Sequence, residues 1–143
     1  MVLYARDIME GDILVVDSGI TCGELARRMA EGRHGFAVVR TPDGRYAGIV
    51  TEWDMVNRLL ARGLDPSSTK VDDIMTKEIV SVDAGEELSD LADFMSKKGI
   101  RRILVTEKGE VVGVVTCRMV LANLKSYVDS VSRDLARYGL LPF

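Results

Sequence analysis

The spacing of apolar and polar positions changes several times along this chain, and it changes in the same order twice. An apolar run at 13–16 reads as a short strand. Cys22, Leu25, Ala26 and Met29 follow at i, i+3, i+4 and i+7, which lines one face of a helix. Runs at 35–40 and 45–50 flank Pro42, Asp43 and Gly44, so they read as two strands joined by a turn. A further helix begins near Thr51. From 79 the pattern starts over, with a strand at 79–82 and a helix carrying Leu88, Leu91, Ala92 and Met95. Strands at 102–106 and 110–115 follow about Lys108 and Gly109, then a helix from Thr116. Thr21 and Glu24 have capping-box spacing at the first helix start, and Asp83 and Glu86 offer a comparable signal at the second. The predicted order is β-α-β-β-α, twice.

The two halves also share residues. "ARDIM" (5–9) matches "VDDIM" (71–75) at an offset of 66 (71 minus 5), and "DILVV" (12–16) matches "EIVSV" (78–82) at the same offset. "GFAVV" (35–39) matches "RILVT" (102–106) at 67 (102 minus 35), and "GRYAGIVT" (44–51) matches "GEVVGVVT" (109–116) at 65 (109 minus 44). Gly, Pro and two Ser in "GLDPSSTK" make 63–70 a linker, which divides the chain into repeats 1–62 and 71–143. A repeated unit of this size generally needs its partner to cover its apolar face. The last helix is longer in the second copy. Leu121, Leu124, Val128, Val131, Leu135 and Tyr138 step by 3, 4, 3, 4 and 3. That heptad-like face is short for a coiled coil. It predicts either a helix packed on its own domain or an interface helix of a homodimer.

Composition narrows the function classes. With 143 residues, 47% hydrophobic and 29% charged, the chain fits one ordinary soluble domain or two small halves sharing a core. Its longest apolar runs, such as 111–117, fall well short of the roughly 20 residues needed to cross a bilayer. Charge appears early at the N-terminus, so no signal peptide is read and a cytoplasmic location with no membrane partner is expected. Cys22 and Cys117 read as small apolar residues rather than a disulfide, and with His34 they are too few for a zinc site. The net charge of -3 and a pI near 5.2 argue against nucleic acid as partner. No GxxxxGK[ST], GxGxxG or HExxH occurs, and no nucleophile–base pair stands out, so no enzyme is expected.

The remaining chemistry lies in "GIVTEWD" (48–54) and its second copy "GVVTCRM" (113–119). A strand running into a helix at Thr51 presents backbone N–H groups to an anion. The Thr51 hydroxyl can donate there, and Asp54 lies on the same face, where it can accept from a sugar diol. The same T-x-x-D spacing equally describes a capping box. In the second copy Met119 stands where Asp54 stood. Trp53 fits either a cleft or interface cover or a helix residue packed under the linker.

The two "DIM" openings, the paired "GIVTEWD" and "GVVTCRM" segments and the "RRILV" strand together resemble a tandem pair of CBS (cystathionine-β-synthase-type) domains, from about Ala5 to Ser126. The resemblance implies an α/β (α+β) fold of two β-α-β-β-α repeats about a pseudo-twofold axis, with small sheets packed on helices. It also implies a cleft that binds adenine nucleotides or related adenosyl ligands. Carried over, the stronger site uses Ile49, Thr51 and Asp54 with Ile79 and Val80, on the second half's first strand, flanking adenine. Ile100, Arg101 and Arg102 precede the middle strand and face phosphate, with Arg101 in place of the family histidine. Leu104 stands where the family usually has proline. A weaker mirror site would use Ile13, Leu14, Arg33, His34, Gly35, Val114, Thr116 and Met119, with His34 aligned to Arg101 and Gly35 to Arg102. No cofactor or metal is implied; the ligand is AMP, ADP, ATP or S-adenosylmethionine. Dimerisation of such modules and an unknown protein partner follow from the same likeness. The alternative is a ligand-independent dimerisation or scaffold domain, with a nucleic-acid-binding accessory role weaker still.

Overall fold

Each half builds one three-stranded mixed sheet, as its alternating strands and helix stripe require. The computed structural model describes residues 2–139; Met1 and 140–143, the outer ends of the two predicted repeats, lie outside the described residues. The first sheet contains β1 (Leu14–Asp17), β2 (Phe36–Arg40) and β3 (Tyr46–Thr51) in that order, β1 parallel and β3 antiparallel to β2. Between β1 and β2 runs helix α2 (Cys22–Gly32); a short α1 (Ala5–Ile8) precedes β1. After β3, α3 (Glu52–Asp54) continues as a π-helical stretch, Met55–Leu60. The second sheet repeats the order with β4 (Ser81–Asp83), β5 (Arg102–Glu107) and β6 (Glu110–Thr116). Its helices are α4 (Leu88–Lys98) and α5 (Cys117–Arg137). Two small mixed sheets packed with helices match the expected class.

Several expected boundaries move. Ile13 lies just before β1, and Ile79 and Val80 lie before β4 rather than on it. Arg101 also precedes its strand, which begins at Arg102. The Thr21 hydroxyl accepts from Glu24 N (3.2 Å), but Glu24 turns outward to Arg27 and Arg28 instead of closing a capping box. Asp83 and Glu86 do not cap α4. Asp83 accepts from Gly85 N (2.8 Å) in the preceding turn, and the N-cap is Glu87 without a side-chain bond.

The repeat offset between the middle strands is 66, not 67. Helix α2 ends on Arg33 and α4 on Gly99, both in the left-handed region (φ 55° and 64°), and 99 minus 33 is 66. The same offset holds at the register shift, which falls after Val39 in one sheet and after Val105 in the other. His34 is therefore the counterpart of Ile100, Gly35 of Arg101 and Phe36 of Arg102. The single one-residue slip lies in the hairpin turn, where Arg40 pairs Tyr46 but Thr106 pairs Val111.

The chain divides into two units that do not follow the repeats. One is Asp12–Val80; the other joins the residues up to Gly11 with those from Ser81 onward. Each "DIM" opening thus serves the sheet of the other repeat. In the Asp12–Val80 unit, Ile49 and Thr76 exchange backbone bonds of 2.9 and 2.8 Å, and Val71 and Ile74 are buried with Leu25, Val39, Val50 and Leu59. In the other unit Glu10 and Val114 do the same at 2.9 and 3.0 Å, and Ala5 is fully buried. The repeated glycines make this possible. A Cβ on Gly48 would stand 2.7 Å from Thr76 O and 2.8 Å from Met75 Sδ; on Gly113 it would stand 2.7 Å from Met9 Sδ and 2.8 Å from Glu10 O.

Candidate ligand site and family

The T-x-x-D segment closes on itself. Thr51 N donates to Asp54 Oδ2 (2.9 Å), the Thr51 hydroxyl donates to the same oxygen (3.1 Å), and Asp54 N donates to Thr51 Oγ1 (3.2 Å). This is a complete capping box at the start of α3. Of the N–H groups the sequence offered to an anion, Glu52 N is also taken, donating to Gly35 O (3.0 Å). Asp54 is 7% exposed, the one buried charged side chain among the described residues. A carboxylate has about four acceptor positions, so Oδ1 keeps capacity for a further donor.

A residue that the sequence reading missed completes this cluster. Arg58 places Nε 3.8 Å from Asp54 Oδ1, and its Nη1 donates to the carbonyls of Ile74 (3.1 Å) and Met75 (3.0 Å). In the second repeat Thr116 Oγ1 accepts from Met119 N (3.3 Å), so the threonine caps alone. The counterpart of Arg58 is Asn123, whose side chain donates to Met119 O (2.8 Å) within its own helix.

The Asp12–Val80 unit holds Ile49, Thr51, Asp54, Ile79 and Val80 of the stronger predicted site, and Ile13, Leu14, Arg33, His34 and Gly35 of the weaker one. Ile49, Thr51, Ile79 and Val80 are half-buried. Arg33 is exposed and His34 half-buried, with Nε2 3.9 Å from Asp12 Oδ1; both line an apolar groove of about 530 Å³ with Met29, Met55, Leu59 and Leu60. The second unit holds Ile100, Arg101, Arg102, Leu104, Val114, Thr116 and Met119. Ile100 and the exposed Arg101 line a similar groove of about 480 Å³ with Met95, Val120, Leu121 and Leu124. Arg102 opens β5 opposite Thr116, and Leu104 is buried on the middle strand between Ser81 and Val114. Trp53 is 69% exposed, so it does not pack under the linker. Both cysteines are free, and among the described residues no group of three or more His, Cys, Asp or Glu could hold a metal. No described helix is long and apolar enough to cross a membrane.

The model of the CBS domain matches residues 5–61 and again 71–126. The chain belongs to the CBS-domain family. Among CBS relatives, Hypoxic response protein 1 of Mycobacterium tuberculosis is 31% identical over 112 residues, 78% of each chain. A solved structure of Hypoxic Response Protein I with two coordinated zinc ions superposes with a TM-score of 0.71 at 29% identity, over 84% of this chain and 98% of that one. A hexameric CBS-CP12 protein from bloom-forming cyanobacteria superposes with a TM-score of 0.75 at 28% identity, over 85% and 67%. The second CBS match stops at Ser126, so residues 127–137 of α5 lie beyond the matched family region. Of α5 only Val120 is buried; Leu121, Leu124, Val128 and Val131 are exposed, Leu135 is half-buried, and Tyr138, just past the helix end, is exposed. The one side chain that the helix buries lies in its first turn.

Proposed function

We propose that this CBS pair is a regulatory module that senses an adenine nucleotide, AMP, ADP or ATP, or a related adenosyl ligand such as S-adenosylmethionine. The observation that carries this reading is the buried Asp54 carboxylate beside Thr51 in one repeat and its replacement by Met119 in the other. A buried carboxylate costs free energy unless donors satisfy it, and a ribose diol supplies two donors to the acceptor capacity left on Oδ1. Thr51 and Asp54 would hold ribose, and Ile49, Ile79 and Val80 the base, all within the Asp12–Val80 unit. Thr116 and Met119 would leave the second site empty or weak. The chain would act without catalysis, as a cytoplasmic homodimer read by a protein partner, since a ligand has an output only if it prefers one of two states.

Calorimetric titration of AMP, ADP, ATP and S-adenosylmethionine into wild type and Asp54→Ala tests the reading. The expected result is close to one ligand per chain, weakened about tenfold or more by the substitution, the loss of a hydrogen bond to a charged group. Two equal sites would overturn the asymmetry. A scaffold reading has its own support, because the capping box already engages the side chains of both residues of T-x-x-D. It predicts no binding of any of the four, and an Asp54→Ala effect on stability alone.

A further inference from the structure

The carboxylate that separates the two repeats does not differ alone. Asp54 and Arg58 in the first repeat become Met119 and Asn123 in the second, at one offset of 65 (119 minus 54, 123 minus 58). A buried carboxylate calls for a cation or a full set of donors. Arg58, one turn on, stands where it can serve, and an acid four residues before a base is the favourable orientation on a helix. Its guanidinium does more than pair. Through Nη1 it is bonded to the carbonyls of Ile74 and Met75, the end of the second "DIM" opening. That segment is fixed on its other side, with Met75 against Gly48 and Thr76 bonded both ways to Ile49. It leads directly to Ile79 and Val80. Asn123 reaches only its own helix.

We infer that Arg58 is a positioning residue for the diol of a ribonucleotide ligand, an inference that rests on the nucleotide reading above. Oδ2 of Asp54 is committed to Thr51, so the ligand meets Oδ1, and the Arg58 guanidinium, with Nε 3.8 Å away, holds positive charge beside that oxygen. The same guanidinium fixes the backbone that precedes the base-flanking Ile79 and Val80. One planar side chain therefore ties the ribose acceptor to the segment that carries the base contacts. Lysine, a point charge on a flexible stem, cannot reproduce both functions.

The test is the affinity ratio of AMP to 2′-deoxy-AMP, and of ATP to 2′-deoxy-ATP, by calorimetry on the full chain. Wild type is expected to prefer the ribonucleotides by about tenfold, one hydrogen bond to a charged acceptor. Arg58→Gln should bring the ratio near one mainly by weakening the ribonucleotide, and Arg58→Lys should keep an intermediate ratio. Asp54→Asn should do what Arg58→Gln does, with the double variant adding little. A purely structural arginine would lower the melting temperature and leave the ratio unchanged; that result, or equal weakening of both sugars, overturns the inference. If Arg58→Gln does not fold, a wild-type ratio in Arg58→Lys overturns it equally. Wild type binding both sugars equally would remove the role of Arg58 and spare the nucleotide reading, whereas no binding of AMP, ADP, ATP or S-adenosylmethionine would remove both.

Discussion

Gly48 and Gly113 show how much a single missing side chain can decide. Each lies under a methionine and a carbonyl brought from a distant part of the chain, at distances a Cβ cannot share. Overpacking of this kind typically costs about 1–3 kcal/mol. Gly48→Ala and Gly113→Ala should each lower the urea midpoint by a corresponding amount, whereas Gly44→Ala, which meets nothing within 4 Å, should cost only the strain of its positive φ. Cys22 offers a second check. Burial, with Asp73 and Asp72 adding to it, pushes its thiol above the ordinary value. A raised folded value means stability that is whole below the unfolded thiol's pKa and lost as pH rises through the folded one. Alkaline labelling should therefore modify the half-buried Cys117 first and reach Cys22 only as the protein unfolds, as mass spectrometry of timed samples would show. Thr51 and Asp54 were legible in the sequence because a capping box has a fixed spacing. Arg58 had a signal in its i, i+4 spacing from Asp54 that the reading passed over, whereas its bonds to the carbonyls of Ile74 and Met75 carry no residue signature.

Elements were legible in type and order and misplaced by a residue or two at their edges. The strands at Ile79 and Val80 began late because an apolar pair marks a buried segment whether or not it is bonded into a sheet. The error in the middle-strand offset has a clearer cause. Aligning Gly32 with Gly99 satisfies the eye, yet the left-handed cap position is occupied by Arg33 in one helix and Gly99 in the other. A non-glycine residue there costs roughly 1 kcal/mol. Arg33→Gly is expected to stabilise the protein by about 0.5–1 kcal/mol in urea melts, and Gly99→Ala to destabilise it by about as much. Helix α5 makes its own prediction. With Val120 its one buried residue, backbone amides of 127–137 should exchange within the fastest class and those of β5 in the slowest.

At the scale of the molecule, the repeat seen in the sequence is not the unit that packs. A fragment cut at the repeat boundary, 1–62, lacks Val71, Ile74 and Met75, all part of or packed against the core of its own sheet. A fragment of 12–80 contains them. Circular dichroism and urea melts should show 12–80 more folded than 1–62, even though the shorter cut follows the sequence symmetry. Two similar structured fragments would contradict this account of the core. The sequence could not show it, because the two "DIM" openings are so alike that residue identity does not say which sheet each one serves. The crossed use of those openings also bears on ancestry. A one-repeat forerunner would carry a glycine shelf with no methionine of its own to cover it, and would be complete only by lending its first residues to a second molecule. Duplication of such a unit would turn a loan between molecules into a covalent one and leave the two copies free to differ, as Asp54 and Met119 do.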